Sequence, residues 1–191
     1  MSFKRYKEIV YRNVDNYILN NQTKKTENGS FSELLFSSFS MQSINIKFGH
    51  VVEKSWNEYI FGISGTELDD RNIIDGSQVD ILFSYNNIKY YFESKNNINI
   101  DTEKSIATIN KVKKIEAFLL KENNEVVAKI LSNRYSNSDT IKHFKKSISR
   151  EDIFGYSQLF SVFNVDVTIK EWEDFYREVG DYIYKNISKE S

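Results

Sequence analysis

Residues 78–95 read QVDILFSYNNIKYYFESK. Two runs rich in β-branched and aromatic residues flank Asn86-Asn87, and asparagine tolerates the positive φ that a two-residue hairpin turn requires. With that turn, Tyr85 faces Ile88, Leu82 faces Tyr91, Asp80 faces Glu93 and Gln78 faces Lys95. Side chains alternate along a strand. One hairpin face therefore carries Val79, Ile81, Phe83, Ile88, Tyr90 and Phe92, a core face. The other carries Gln78, Asp80, Glu93 and Lys95 at the open end.

Opposed Cβ atoms lie about 4.5–5.5 Å apart, so two carboxylates in register repel. A divalent cation between them removes the penalty. Mg²⁺ favours oxygen ligands, commonly takes one or two carboxylates, and leaves positions for water and phosphate oxygens. Lys95, one strand repeat away, is placed to meet a phosphate or an attacking water. The competing explanation is a charged, solvated strand face, because Asp, Glu and Lys are common. Three features favour the metal site: the acids fall in register, Glu-x-Lys closes an otherwise apolar strand, and a helix with an embedded glutamate precedes the hairpin while a long helix follows it. Asp75 also competes for the role of first acid, but it precedes Gly76 in a loop and is not opposite Glu93.

Outward from the hairpin, residues 3–20 show apolar positions Tyr6, Ile9, Val10, Val14, Tyr17 and Ile18 at helical spacing. Residues 20–30 form a polar loop, and Ser30 with Glu33 is a capping-box start for a short helix. A helix from about 43 to 60 carries the stripe Val51, Val52, Trp56, Tyr59 and Ile60, with Glu53 beside it. Residues 64–77 read as loop. A long helix follows Asp101-Thr102, a strand covers 125–132 and a helix covers about 139–149. Residues 157–165 are ambiguous, and 171–187 form a C-terminal helix. This order predicts an α/β fold with a central mixed β-sheet flanked by helices.

Asp80, then Glu93-Ser94-Lys95, resembles the signature of the PD-(D/E)XK nuclease superfamily: an acid on one strand and E-x-K on the next. Val79 stands where the signature has proline. Glu53 matches by position the glutamate that members add from the preceding helix. The resemblance covers about 43–132, as the catalytic core of a single domain over 1–191, and is strongest to type II restriction endonucleases. It implies a restriction-endonuclease-like core, with an extra strand somewhere in 61–75. It also implies catalytic Asp80, Glu93, Lys95 and Glu53, with Mg²⁺ on Asp80, Glu93 and Glu53 and Mn²⁺ as a substitute. The implied activity is hydrolysis of double-stranded DNA by a homodimer, with a companion DNA methyltransferase as a separate protein.

Basic residues outside the signature are candidate DNA contacts: Lys104, Lys111 and Lys114 on the long helix, Arg134 after the last core strand, and Lys142, Lys145, Lys146 and Arg150. Ordinary solvated helix and loop surface competes with each. Asn133 sits beside Arg134, and both residue types suit base reading. Trp56 and Trp172 are core candidates. His50 and His143 lack partners at zinc-ligand spacing, and no phosphate-binding Gly-rich loop signature occurs.

Composition limits the partners. The net charge of −1 means that nucleic-acid binding needs locally concentrated basic residues. Without cysteine there are neither disulfides nor thiolate metal ligands. No apolar run approaches the ~20 residues of a membrane span, and charges stand where a signal peptide needs apolar residues. The expectation is a cytoplasmic protein that does not enter membranes. Two other readings compete with restriction: a structure-selective repair or junction-resolving nuclease on the same core, and a non-catalytic DNA-binding protein. The complete Asp80/Glu93/Lys95 set argues against the latter.

Overall fold

In the computed structural model, Asn86 and Asn87 both have positive φ, 51° and 64°. They close the hairpin in the expected register: Tyr85 pairs with Ile88, Leu82 with Tyr91 and Ile81 with Phe92. The structure describes residues 2–20, 41–96, 102–140 and 148–187. Its helices are α1 (Phe3–Val14), α2 (Met41–Phe61), α3 (Thr102–Leu119), α4 (Tyr156–Val162) and α5 (Ile169–Ile187). Its strands are β1 (Thr66–Leu68), β2 (Ile73–Ile74), β3 (Ser77–Gln78), β4 (Ile81–Tyr85), β5 (Ile88–Lys95), β6 (Val126–Ser132) and β7 (Ile153–Gly155).

Five strands form one mixed sheet in the order β1-β4-β5-β6-β7. The pairings β1–β4 and β4–β5 are antiparallel, and β5–β6 and β6–β7 are parallel. The fold is α/β, with helices on both faces of the sheet. α3 makes the crossover that a parallel β5–β6 pair needs. β1 and β2 both lie within 61–75, largely in the stretch expected to be loop, and β1 pairs with β4.

Both faces of the hairpin are buried, where the sequence suggested one core face. Ile81, Phe83, Tyr90 and Phe92 pack with residues of α1, α2, α4 and α5. Leu82 and Tyr91 pack with Ile109, Val112, Ile115 and Leu119 of α3 on the other side. β5 is thus an interior strand, the setting in which apolar residues occupy both alternating faces. The stripe of α2 is buried throughout: Val51, Val52, Trp56, Tyr59 and Ile60.

The hairpin register stops at Ile81, so the expected pairing of Asp80 with Glu93 is absent from the ladder, and Asp80 meets the end of β5 through its side chain instead. Gln78 pairs with Ile73 across the turn at Asp75-Gly76, not with Lys95. Val79 packs on the α3 side with Leu82 and Tyr91, not beside Ile81 and Phe83. The cause is local: the Val79 N–H is held by the Asn72 carbonyl at 3.0 Å, and the chain bends at Asp80 before entering β4.

Elsewhere, α1 ends in a π-helical turn, Asp15–Leu19. Tyr17, read as part of the apolar stripe, is at the surface beneath the Lys54 ammonium. The ambiguous stretch 157–165 is largely helix α4. β7 was not foreseen. Gly155 closes it against the turn after β6; a Cβ there would stand 2.1 Å from the Ser136 carbonyl oxygen, so the close approach requires glycine. The Ser30/Glu33 helix start and residues 141–147 of the helix read over 139–149 lie outside the described residues. Their described neighbours are short 3-10 turns, Ser138–Thr140 and Arg150–Asp152. Among the described residues, no helix is long and apolar enough to cross a membrane.

Candidate active site

β5 runs three residues past its pairing with β4. Glu93, Ser94 and Lys95 pair only with Ile130, Leu131 and Ser132 of β6. The exposed ladder position is taken by a side chain: the Asp80 carboxylate accepts the Ser94 N–H at 2.9 Å. Asn57, on the turn of α2 after Glu53, donates to the Asp80 carbonyl at 2.9 Å. The bend at Asp80 is therefore fixed from both the strand and the helix.

Glu93 is 5% exposed and has a partner on each oxygen. Oε1 meets Lys95 Nζ at 2.7 Å. Oε2 accepts the Tyr91 hydroxyl at 2.9 Å and contacts Lys111 Nζ. Tyr91, Glu93 and Lys95 share this face because they alternate along the strand. Lys111 Nζ also lies 3.7 Å from Asp80 Oδ1. One cation thus stands between the two acids.

Electrostatics follow from this crowding. Burial pushes the Asp80 carboxyl above its usual range, and the negative Glu93 pushes it further. Burial also works against Glu93, but Lys95 and Lys111 outweigh it and hold that carboxyl below its usual range. Glu53 is pushed up to about 7, first by burial and then by Asp80 and Glu93, against the pull of Lys111 and Lys95. Burial and the adjacent Glu93 raise the Tyr91 hydroxyl, which remains a donor.

A cleft of ≈ 340 Å³ opens beside the acids, lined by Glu93, Lys95, Lys104, Ala107, Thr108 and Lys111. The four α3 residues lie three, four and seven positions apart, on one helix face. The structure therefore brings Asp80, Glu93, Lys95, Lys104 and Lys111 together, with Glu53 in their electrostatic field.

The other predicted contacts are elsewhere. Lys114 is held at the β2–β3 turn by the Asp75 carbonyl at 2.6 Å and its carboxylate at 3.3 Å. Asp75 is accordingly engaged away from Glu93, and Asp80 is the acid at the site. Arg134 is exposed after β6. Arg150 pairs with Asp139 at 3.0 Å. His50 is exposed on α2. Lys142, His143, Lys145 and Lys146 lie outside the described residues.

Asn133 is a correction to the base-reading candidate. It is buried, not displayed in a loop. Its side-chain oxygen accepts the Trp56 indole N–H at 2.9 Å. Its side-chain nitrogen donates to Ser94 Oγ and Asn96 Oδ1, both at 2.9 Å. Its backbone N–H donates to the Lys95 carbonyl, and its carbonyl accepts the Trp172 indole N–H. The two tryptophans are core, as expected, and also clamp this asparagine behind the Glu93–Lys95 segment. No local signal in the sequence points to this clamp, because its contacts span 39 and 77 residues.

Among the described residues, no three of His, Cys, Asp or Glu stand together closely enough to hold a metal ion on their own. Asp80 and Glu93 nevertheless present hard oxygens to one shared cation position, that of Lys111 Nζ. A two-carboxylate set of this kind fits Mg²⁺, which completes its shell with water and phosphate oxygens. No protein-family model and no curated protein matches the chain.

Proposed function

We propose that the chain is a Mg²⁺-dependent endodeoxyribonuclease of the type II restriction kind, hydrolysing phosphodiester bonds in sequence-specific double-stranded DNA. The observation that carries this reading is the single cation position shared by Asp80 and Glu93, with Lys95 on the same carboxylate. Asp80 and Glu93 would hold the ion, with Glu53 contributing its carboxylate from α2. When bound, the ion polarises the phosphoryl group and acidifies a coordinated water. Lys95 aligns the water and neutralises charge that develops on the phosphoryl oxygens. The water oxygen would bond to phosphorus as a P–O ester bond breaks, the water giving up its proton to solvent and the departing oxygen taking one from solvent. Mn²⁺ substitutes for Mg²⁺. Lys104 in the cleft and Arg134 past β6 contact the DNA backbone.

The same reading carries a homodimer, one subunit per strand, in the cytoplasm, with a separate DNA methyltransferase protecting host sites. Digestion of plasmid DNA with Mg²⁺, followed by sequencing of the ends, tests it. Discrete fragments sharing one end sequence are expected. Cutting confined to branched or damaged DNA makes the chain a structure-selective nuclease. DNA binding without cleavage under any divalent ion makes it a non-catalytic binder.

A further inference from the structure

Lys111 points away from a purely DNA-contacting role. Its ammonium reaches back over the end of β5, touches Glu93 and lies 3.7 Å from Asp80 Oδ1. It is the second cation on Glu93, whose other oxygen already holds Lys95 at 2.7 Å. Lys111 Nζ therefore sits where the two carboxylates converge. A divalent ion bridging the same acids cannot share that position, because like charges a few ångströms apart in a partly buried setting repel strongly. The lysine also has a place to go. Among the described residues the adjoining cleft is lined by Lys95, Lys104 and Lys111 beside Glu93, and small Ala107 and Thr108 lie between Lys104 and Lys111 on α3.

We propose that Lys111 is a stand-in for the metal: it holds the Asp80–Glu93 position until a divalent ion displaces it, and the released ammonium binds a substrate phosphate in the cleft. The proposal rests on the reading of Asp80 and Glu93 as metal-binding acids. It makes metal and nucleic-acid binding favour one another, because each relieves the other of Lys111, and the coupling is reciprocal. It also keeps the acids neutralised before the metal arrives.

The test measures Mn²⁺ binding to the whole chain by calorimetry, without nucleic acid and with a hydrolysis-resistant phosphorothioate duplex. Without duplex, Lys111→Met and Lys111→Gln bind Mn²⁺ about tenfold more tightly than wild type, since a competing charge is gone. Lys113→Met, the same charge change on the exposed side of α3, leaves the affinity unchanged. The duplex tightens Mn²⁺ binding in wild type and much less in the Lys111 variants. In the wild-type chain, lysine side-chain NMR shows the Lys111 signal moving on Mg²⁺ addition, a readout independent of variant folding. Unchanged or weaker Mn²⁺ binding in both Lys111 variants overturns the competition. An undiminished duplex effect in them overturns the phosphate step. If wild type and Asp80→Ala alike fail to bind Mn²⁺, the metal reading itself falls, and this proposal with it.

Discussion

Asn133 accepts the indole N–H of Trp56 at 2.9 Å, joining the last strand of the parallel pair to the helix that carries Glu53. The same side chain donates to Ser94 and Asn96, on either side of Lys95. Asn133→Ala leaves a buried indole donor and two strand-end acceptors without their partner. An unsatisfied buried group costs about 1–3 kcal/mol. The variant is expected to lose roughly 2–3 kcal/mol in urea unfolding. Loss of less than ~0.5 kcal/mol, the range of an ordinary surface site, would show that the clamp contributes little.

At the far end of the hairpin, Asp69 joins Lys89 at 2.6 Å and Arg71 at 2.6 Å. Hydrogen bonds from Arg71 and Lys89 hold its carboxyl well below the ordinary value, against the opposing effect of burial. A depressed folded-state pKa stabilises the fold above the unfolded-state value of 3.8 and loses that stabilisation as pH falls through the folded value. Asp69→Asn strands the largely buried Lys89 and is expected to cost about 2–3 kcal/mol at neutral pH. The difference from wild type stays level down to about pH 5 and shrinks below about pH 4. Thermal melts from pH 2 to 8 measure it. A gap that stays constant into acid excludes the ion pair as its cause.

How far the sequence could carry these conclusions depends on the range of each interaction. The hairpin is encoded locally: Asn86-Asn87 sets the turn, and alternation sets which side chains meet, so Asp80, Glu93 and Lys95 were legible. The register does not extend to Asp80, Val79 and Gln78, because Asn72 captures the Val79 N–H and the chain bends at Asp80. β7 has only three residues, too few for periodicity to show. The contact of Lys111 with Glu93 depends on how α3 packs over Tyr91 and Leu82, which spacing along α3 does not contain. Asn133 looked like a loop residue because its partners come from α2, β5 and α5.

Asp80→Ala and Glu93→Ala are each expected to abolish cleavage while DNA binding persists or strengthens, because negative charge is removed near phosphate. They should differ in stability. Asp80→Ala leaves the Ser94 N–H without its acceptor. Glu93→Ala leaves Lys95 and Lys111 without their common carboxylate. Cleavage and filter-binding assays on folded protein separate the effects. Near-normal cutting by Asp80→Ala removes Asp80 from the chemistry.

Glu53 lies in the field of both acids without forming a three-carboxylate cluster with them. A graded role follows. Glu53→Gln lowers activity and moves the Mg²⁺ titration to higher concentration, with partial recovery in Mn²⁺. An unchanged Mg²⁺ midpoint returns Glu53 to a packing role on α2.

Lys95 is the sharpest case, because its ammonium meets the Glu93 carboxylate at 2.7 Å while its side chain is still 29% exposed and lines the cleft. On the proposed reading its charge would act mainly on the transition state, where the phosphoryl oxygens gain negative charge. Lys95→Ala should slow cleavage by about 10²–10³, the loss typical of one preorganised electrostatic group. Metal and DNA affinity should change far less. Glu93 retains Lys111 in this variant, so the fold should survive. Lys95→Arg should recover little, because a planar guanidinium does not occupy the same point as a compact ammonium. If Lys95 only balanced Glu93, arginine would serve equally well. Single-turnover cleavage at saturating Mg²⁺ decides between them: full activity in Lys95→Arg makes Lys95 a counter-ion and nothing more.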